Sequence, residues 1–557
     1  MAERPWLKTQ ERATVWNPHP ENKPVHDLLR DSAKRYPDRP CLYYNGRTMS
    51  YSEVDGLSAR FASALVSLGA KKGDRVALFM PNIPQFVISY FGVLEAGGVV
   101  VACNPLYKER ELEQQLRDSG AEIVVATRDV FHGSDLYSSL LACRGRLPIR
   151  HVVTTSVADC LPPLKRSLAR LGGVKRVARS ETIDMLRLVE ASPPMLTPAP
   201  LDPSQDLAVL QYTGGTTGVP KGAMLTHWNV YSMTVRGTSF LPLAPTDVFV
   251  AVLPLFHVYG GIVNLTIPIL VGAQVLLLPT FHVKEVLKTI ETKKATIFCG
   301  VPAMFVAINL NPASKGYRLG SLRFCVSGGS ALPSAARAPF ERLTGAKLIE
   351  GYGLSETSAL THCTPVVGGD AKDGSVGIPF PETDAVIVDA ADAGRVLAPG
   401  ELGELAVRGP QVMKGYWNQD KETEMAFHDG WLLTGDLAKM DEDGYFYIVD
   451  RKKDMVNVAG MKVYPKEVED VLSEHPAVRE AAVVSSPDSF WGEVARAFVV
   501  LKDPASNTTA VDLRDFCAER LVGYKVPKTV EFVPELPKSP MGKVLRRQLR
   551  ETTARLS

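Results

Sequence analysis

Short apolar runs rich in β-branched residues alternate with helix-period patterns along much of this chain, and that alternation restricts the fold more than any other feature. Residues 75–80 read as a strand and 83–96 as the helix that follows it. A helical pattern over 109–118 precedes a strand at 121–126, and 295–299 and 322–327 read as further strands, each followed by a glycine-bearing turn. Apolar strands of this kind are covered on both faces, as in largely parallel sheets flanked by helices. The expected fold class is α/β, in which turns at strand C-termini are the usual ligand sites.

At 557 residues the chain exceeds what one hydrophobic core covers, so at least two domains are expected. Beyond Asp450 the texture changes: a proline-led helix over 465–472 and a strand pair at 478–486 and 495–501 indicate a smaller α+β domain. The expected division is residues 1–450 and 451–557. Between residues 248 and 283 there is no Asp, Glu, Lys or Arg, and length alone would suit a membrane span. Pro254, Pro268 and Pro279 with Gly260, Gly261 and Gly272 divide that run, so a core helix followed by a core strand at 273–278 is expected instead.

Lys+Arg 63 against Asp+Glu 61 gives a net charge of +2 and no reason to propose a nucleic-acid partner. Eight scattered cysteines without a C-x-x-C fit a reducing cytosol, and neither a disulfide scaffold nor a zinc site. No apolar stretch follows the N-terminal charges, and Arg555-Leu556-Ser557 is not a peroxisomal address, so a cytoplasmic location is expected. Residues 161–179 carry Lys165, Arg166, Arg170, Lys175, Arg176 and Arg179 without an acidic residue, with Leu164, Leu168 and Leu171 at helical spacing. A solvated surface insertion and a basic helix on the inner face of a membrane both fit that pattern.

Tyr212-Thr213-Gly214-Gly215-Thr216-Thr217-Gly218-Val219-Pro220-Lys221-Gly222 concentrates phosphate-binding chemistry. Glycines admit a sharp turn and close backbone approach, while threonine hydroxyls, free N–H groups and one lysine supply donors to phosphate oxygens. Val219 and Pro220 separate Gly218 from Lys221, so the segment is not a Walker A loop. No Gly-x-Ser-x-Gly elbow accompanies His257, which leaves a serine hydrolase without a nucleophile.

The loop resembles the phosphate-binding signature of the adenylate-forming enzymes, which include acyl-CoA synthetases, nonribosomal adenylation domains and firefly luciferase. Other segments similar to that family's signatures follow in its order: Tyr352 to Thr357, Thr434-Gly435-Asp436, Asp450 to Asp454, and Pro537 to Lys543. The hinge-like segment with Val463-Tyr464-Pro465, and the stretch 155–162, are most similar to bacterial-type long-chain fatty acyl-CoA synthetases.

The resemblance implies a large N-terminal α/β domain and a smaller C-terminal domain that rotates on a hinge. It further implies ATP-dependent ligation of a carboxylic acid to coenzyme A through an acyl-adenylate, with Mg²⁺ as cofactor. Thr213, Gly214, Gly215, Thr216, Thr217, Gly218 and Lys221 would hold the β- and γ-phosphates. Glu356, with Thr217, would hold Mg²⁺, a hard cation suited to carboxylate, phosphate and water oxygens. Gly328, Gly329, Ser330, Ala331, Gly351 and Tyr352 would shape the adenine slot, Gly353 and Ser355 would also contact ATP or AMP, and Asp436 and Arg451 would contact the ribose. Lys543 would be the catalytic lysine of adenylation and Lys453 the hinge, while Asn457 and Gly460 would line the pantetheine tunnel. His257 and Tyr259 would lie at the acyl pocket, His257 positioning the carboxylate. The expected partners are the acid, ATP and CoA, with membrane contact and a homodimer left open. A 4-coumarate-like or medium-chain ligase, a carrier-loading module and a non-catalytic nucleotide sensor are the alternatives; intact Lys543 and Glu356 argue against a sensor, and no appended carrier domain is seen.

Overall fold

The structure, a computed structural model, describes residues 4–15, 20–162, 164–167, 182–213, 220–458, 461–488, 491–539 and 542–554, with side chains as far as residue 551. Gly214, Gly215, Thr216, Thr217, Gly218, Gly460 and most of the basic stretch 161–179 lie outside the described residues. The rest divides into two compact units: residues 6–384 with 408–426, and residues 385–407 with 427–557 and the first five. The boundary expected at Asp450 falls inside the second unit, near the end of the strand Phe446–Arg451.

The first unit contains two sheets. One has seven strands in the order Lys221–Thr226, Leu207–Thr213, Val99–Cys103, Arg75–Phe79, Ile123–Thr127, His151–Thr155 and Ile183–Asp184. All neighbours are parallel except the first pair, which is antiparallel. Strand Arg75–Phe79 leads to helix Pro84–Glu95, whose proline occupies the first turn, where its missing N–H costs no hydrogen bond. Every residue of that helix is buried, consistent with its unbroken apolar character.

The second sheet has nine strands, with a parallel centre formed by Lys347–Tyr352, Phe324–Ser327, Ile297–Gly300, Val248–Ala251, Gln274–Leu277 and Pro40–Tyr44. The charge-free run becomes the short helix Val258–Gly261, a π-turn at Ile262–Thr266, helix Ile267–Val271 and the buried strand Gln274–Leu277. Core helix and core strand are as expected, and among the described residues no helix is long and apolar enough to cross a membrane. All eight cysteines are buried and free.

In the second unit, Gly403–Arg408, Phe427–His428 and Phe446–Arg451 each pair antiparallel with Trp431–Met440, and Asp384–Val388 joins the same five-stranded sheet beside Gly403–Arg408. The C-terminal part pairs the long strands Val478–Asp488 and Gly492–Leu501 antiparallel and adds Thr529–Phe532 parallel. Helices Pro465–Glu474 and Ala510–Ala518 bury Val468, Leu472, Leu513 and Cys517 against Val483, Ala497 and Val499. Helix Arg546–Ala554 places Leu549 in a second cluster with Val484, Phe498 and Leu536.

Candidate active site

In the first unit the strands Leu207–Thr213 and Lys221–Thr226 pair antiparallel, in a register that sets Thr213 opposite Lys221 and Tyr212 opposite Gly222. The chain segment around Tyr416 lies along the second of these strands. Met224 N–H donates to Gly415 O at 2.9 Å, Trp417 N–H donates to Gly222 O at 2.8 Å, and Ala223 bridges Tyr416. Tyr416 is thereby fixed beside Lys221: the ammonium lies 5.1 Å from the ring centroid, a cation–π separation. The Tyr416 hydroxyl donates to Glu356 Oε1 at 2.8 Å, and Met413 N–H donates to the Glu356 carbonyl at 2.8 Å. Lys221 itself is paired with Glu422. Lys221 and Glu356, 135 positions apart in the sequence, are thus joined through one tyrosine.

Glu356 sits in the 3₁₀ turn Ser355–Thr357, which Thr357 closes by accepting from Leu354 N–H at 2.9 Å. A side chain at Gly353 would place Cβ 2.1 Å from the Ala359 carbonyl oxygen, so only glycine fits that approach. Gly351 and Tyr352 end a central strand and Gly329, Ser330 and Ala331 are exposed in the turn after its neighbour. That turn is pinned from below. Leu332 N–H donates to Glu350 Oε2 at 3.1 Å, and Arg337 pairs with Glu350 at 2.8 Å. Burial holds the Glu350 carboxyl above its ordinary pKa despite both donors.

His257 precedes the short helix Val258–Gly261 and its Nδ1 accepts the Tyr259 backbone N–H at 3.2 Å. A nitrogen that accepts carries no proton, so the neutral ring keeps its proton on Nε2. Tyr259 is 4% exposed, donates to Val326 O at 3.2 Å and packs against Gly328, where an added Cβ would lie 2.8 Å from the ring.

The second unit brings together Asp436, Arg451, Lys453 and Lys543. Asp436 and Arg451 are register partners across antiparallel strands, and their side chains pair at 2.5 Å with Asp436 2% exposed. Glu404 braces both strands, accepting Gly435 N–H at 3.0 Å and pairing with Lys452 at 2.7 Å. Lys543 lies in a tight turn in which Ser539 N–H donates to Lys543 O and Gly542 N–H to Ser539 O, each at 2.8 Å. The Arg451 guanidinium, then loss of water around the ammonium, pulls the Lys543 pKa down to about 8; Asp436 opposes this. Lys543 is exposed as a residue, so repulsion by Arg451 is the firmer of the two causes.

Lys453 occupies a turn closed by Asp454 N–H donating to Arg451 O at 3.0 Å, and desolvation followed by Arg451 lowers its pKa. On either side stand two buried carboxylates. Asp450 accepts Arg451 N–H at 2.7 Å and, in the first turn of helix Pro465–Glu474, Lys466 N–H at 2.8 Å; burial nonetheless lifts its pKa to about 6. Asp454 pairs with Arg550 and, at 3.9 Å, with Arg546, which also clasps both oxygens of Glu469 at 2.7 and 2.8 Å. Asn457 is exposed on the strand Val456–Val458, its N–H donating to Glu493 at 2.8 Å.

Sequence reasoning passed over Tyr416, Glu422, Arg546 and Arg550. No local pattern marks them, because their partners stand 60, 201, 77 and 96 positions away.

Comparison with known proteins identifies the family. Residues 29–417 match the family described as AMP-binding enzyme, and residues 467–543 match the AMP-binding enzyme C-terminal domain. The chain is 42% identical over 559 residues to a long-chain-fatty-acid–CoA ligase of Bacillus subtilis (strain 168), covering 99% of this chain and 98% of the relative. The corresponding ligase of Salmonella typhimurium is 41% identical, with 94% of each chain covered. Among solved structures, ATP-bound MatB from Rhodopseudomonas palustris superposes with a TM-score of 0.83 at 29% identity, covering 95% of this chain and 99% of that one. With the two family matches and full-length relatives above 40% identity, this chain belongs to the AMP-binding enzymes, the adenylate-forming family.

Proposed function

We propose that the protein joins a long-chain fatty acid to coenzyme A through an acyl-adenylate, releasing pyrophosphate and then AMP. One observation carries the substrate class: identity of 42% to a long-chain-fatty-acid–CoA ligase is sustained over 99% of the chain rather than confined to the nucleotide motifs.

A carboxylate is a poor electrophile because oxide is a poor leaving group, and transfer to the α-phosphorus of ATP removes that obstacle. In this reading Thr213 and Lys221, with Gly214, Gly215, Thr216, Thr217 and Gly218, hold the β- and γ-phosphates. Among the described residues no group of three His, Cys, Asp or Glu gathers to bind a metal. Glu356 is a single half-buried carboxylate held by Tyr416, which fits an ion that keeps waters and takes phosphate oxygens, as Mg²⁺ does. When bound, Mg²⁺ would supply positive charge to the phosphates, with Glu356 and Thr217 as the residues that would hold it. Gly329, Ser330, Ala331, Gly351, Tyr352, Gly353 and Ser355 receive adenine. Asp436, an acceptor-only group, takes the ribose hydroxyls, and Arg451 holds Asp436 in place as well as touching the sugar.

His257 Nε2–H donates to one carboxylate oxygen of the acid, with Tyr259 behind it. The other oxygen attacks the α-phosphorus as the bond to pyrophosphate breaks, and the Lys543 ammonium stabilises the charge that develops there, a preorganised electrostatic effect. The CoA sulfur, entering past Asn457 and Gly460, then attacks the acyl carbon; its proton leaves and the bond to AMP breaks. Lys453 serves as the pivot between the two steps. A fatty acid partitions into bilayers, so a cytoplasmic enzyme in peripheral contact with the inner membrane face accompanies the reading; co-sedimentation with anionic vesicles tests that part.

The central test incubates the protein with Mg-ATP, CoA and a panel of acids while measuring AMP, pyrophosphate and thioester. Palmitate and oleate should be turned over fastest. Faster turnover of aromatic or medium-chain acids would replace the substrate class, and no AMP with any acid would end the reading altogether.

A further inference from the structure

Glu422 belongs to the seven-residue helix Asp420–Ala426, none of whose residues is buried. Its backbone neighbour Thr423 anchors this turn, accepting Tyr416 N–H at 2.9 Å and donating to Gln419 O at 3.0 Å. The Glu422 carboxylate pairs with the Lys221 ammonium. Side-chain exposures are 20% for Lys221 and 38% for Glu422, so the lysine is largely withdrawn from water while the glutamate can turn outward. On its other flank the ammonium faces the Tyr416 ring, whose hydroxyl is committed to Glu356.

An ammonium this far from water needs an anionic partner, and among the described residues Glu422 is the carboxylate paired with it. A triphosphate arriving at Lys221 competes for the same charge, and a carboxylate left beside phosphate oxygens is repelled by them. We propose that Glu422 is the resting counter-ion of Lys221, displaced by the phosphate tail of ATP, and that it sets the affinity for the triphosphate. This rests on the reading in which Lys221 serves ATP phosphates. Glu422 is a positioning residue: it acts on ATP only through the lysine it releases. Its half-exposed side chain and unburied helix let it leave without opening the core.

The consequence is a pair of effects with opposite sign. Glu422→Gln keeps the shape and removes the charge. Without nucleotide the variant should melt slightly below the wild type, because Lys221 has lost its partner. With Mg-ATP it should gain more in melting temperature than the wild type at equal ligand, and calorimetric affinity for Mg-ATP should rise about threefold to fivefold, the upper range for a partly exposed ion pair. The gain should shrink in high salt. Affinity for AMP, which lacks the β- and γ-phosphates, should stay within about twofold, inside the ordinary scatter for a charge that makes no contact. Glu422→Asp, which retains the carboxylate, should bind Mg-ATP like the wild type. Weaker or unchanged Mg-ATP binding by Glu422→Gln overturns the proposal, as does an equal gain for AMP or a Glu422→Asp variant that behaves like glutamine. A wild-type protein that binds no Mg-ATP instead defeats the reading of Lys221 beneath it.

Discussion

Raising the pH should switch off adenylation well before it would discharge an ordinary lysine. Lys543 carries the positive charge assigned to the α-phosphoryl step, and the Arg451 guanidinium pulls its pKa down to about 8. A lysine is active here as the ammonium, so activity is present below that value and lost as the pH rises through it. At pH 7 about nine-tenths of Lys543 is charged and at pH 9 about one-tenth, a drop of roughly tenfold; a lysine at the reference value would lose only a few per cent over the same interval. Exchange of labelled pyrophosphate into ATP with palmitate, leaving out CoA so that no substrate thiol titrates and keeping ATP well below saturation so that the free protein's titration is read, isolates this step. Asp450, lifted to about 6 by burial, titrates on the acid side and leaves the interval from 7 to 9 clear. Lys543→Arg supplies a cation that stays charged throughout, so its rate is lower but should not fall over this interval. A wild-type profile flat to pH 10, or an arginine variant that falls in step with the wild type, refutes the assignment.

Lys543→Ala should slow adenylation by about a hundredfold or more, the scale of losing a preorganised charge stabiliser, while thioester formation from supplied acyl-adenylate persists; equal losses in both steps count against it. Lys453→Pro fixes φ and removes an N–H, so pyrophosphate exchange should continue while acyl-CoA forms slowly, and Lys453→Ala should retain most of both activities. Wild-type thioester synthesis by the proline variant removes Lys453 from the pivot. Gly328→Ala drives a Cβ to 2.8 Å from the buried Tyr259 ring. Thermal unfolding should show a loss of about 1–3 kcal/mol, the usual cost of overpacking, and Gly328→Ala with Tyr259→Leu should recover much of it.

Elements carried by local hydrophobic pattern were legible in the sequence. The strand read at 75–80 is Arg75–Phe79, the helix read at 83–96 is Pro84–Glu95, and the strand pair beyond 478 forms as Val478–Asp488 with Gly492–Leu501. Periodicity reports which face of a segment meets the core, and nothing about which segment meets it. Motif order could therefore nominate Glu356, Lys221, Asp436 and Arg451, yet could not say that Tyr416 joins the first two or that strand register pairs the last two. The same limit hid residues 385–407 and 427–450, which pack with the C-terminal part although they precede the motif that reads as a boundary.

Asp454, Glu469, Arg546 and Arg550 bear on how this chain can be recombined. The turn holding Lys453 and the helix just after Lys543 are stitched together by these four side chains, drawn from three places in the sequence and mostly withdrawn from water. A cut made anywhere from 455 to 545 gives one parent the acid Asp454 and the other the two arginines that neutralise it. If the incoming chain differs at any of the four, an uncompensated charge is left inside, at a penalty of about 3–5 kcal/mol. Hybrids exchanged as a block from before residue 450 to the C-terminus keep the set intact and should fold; hybrids joined within it should fold only when all four residues are matched.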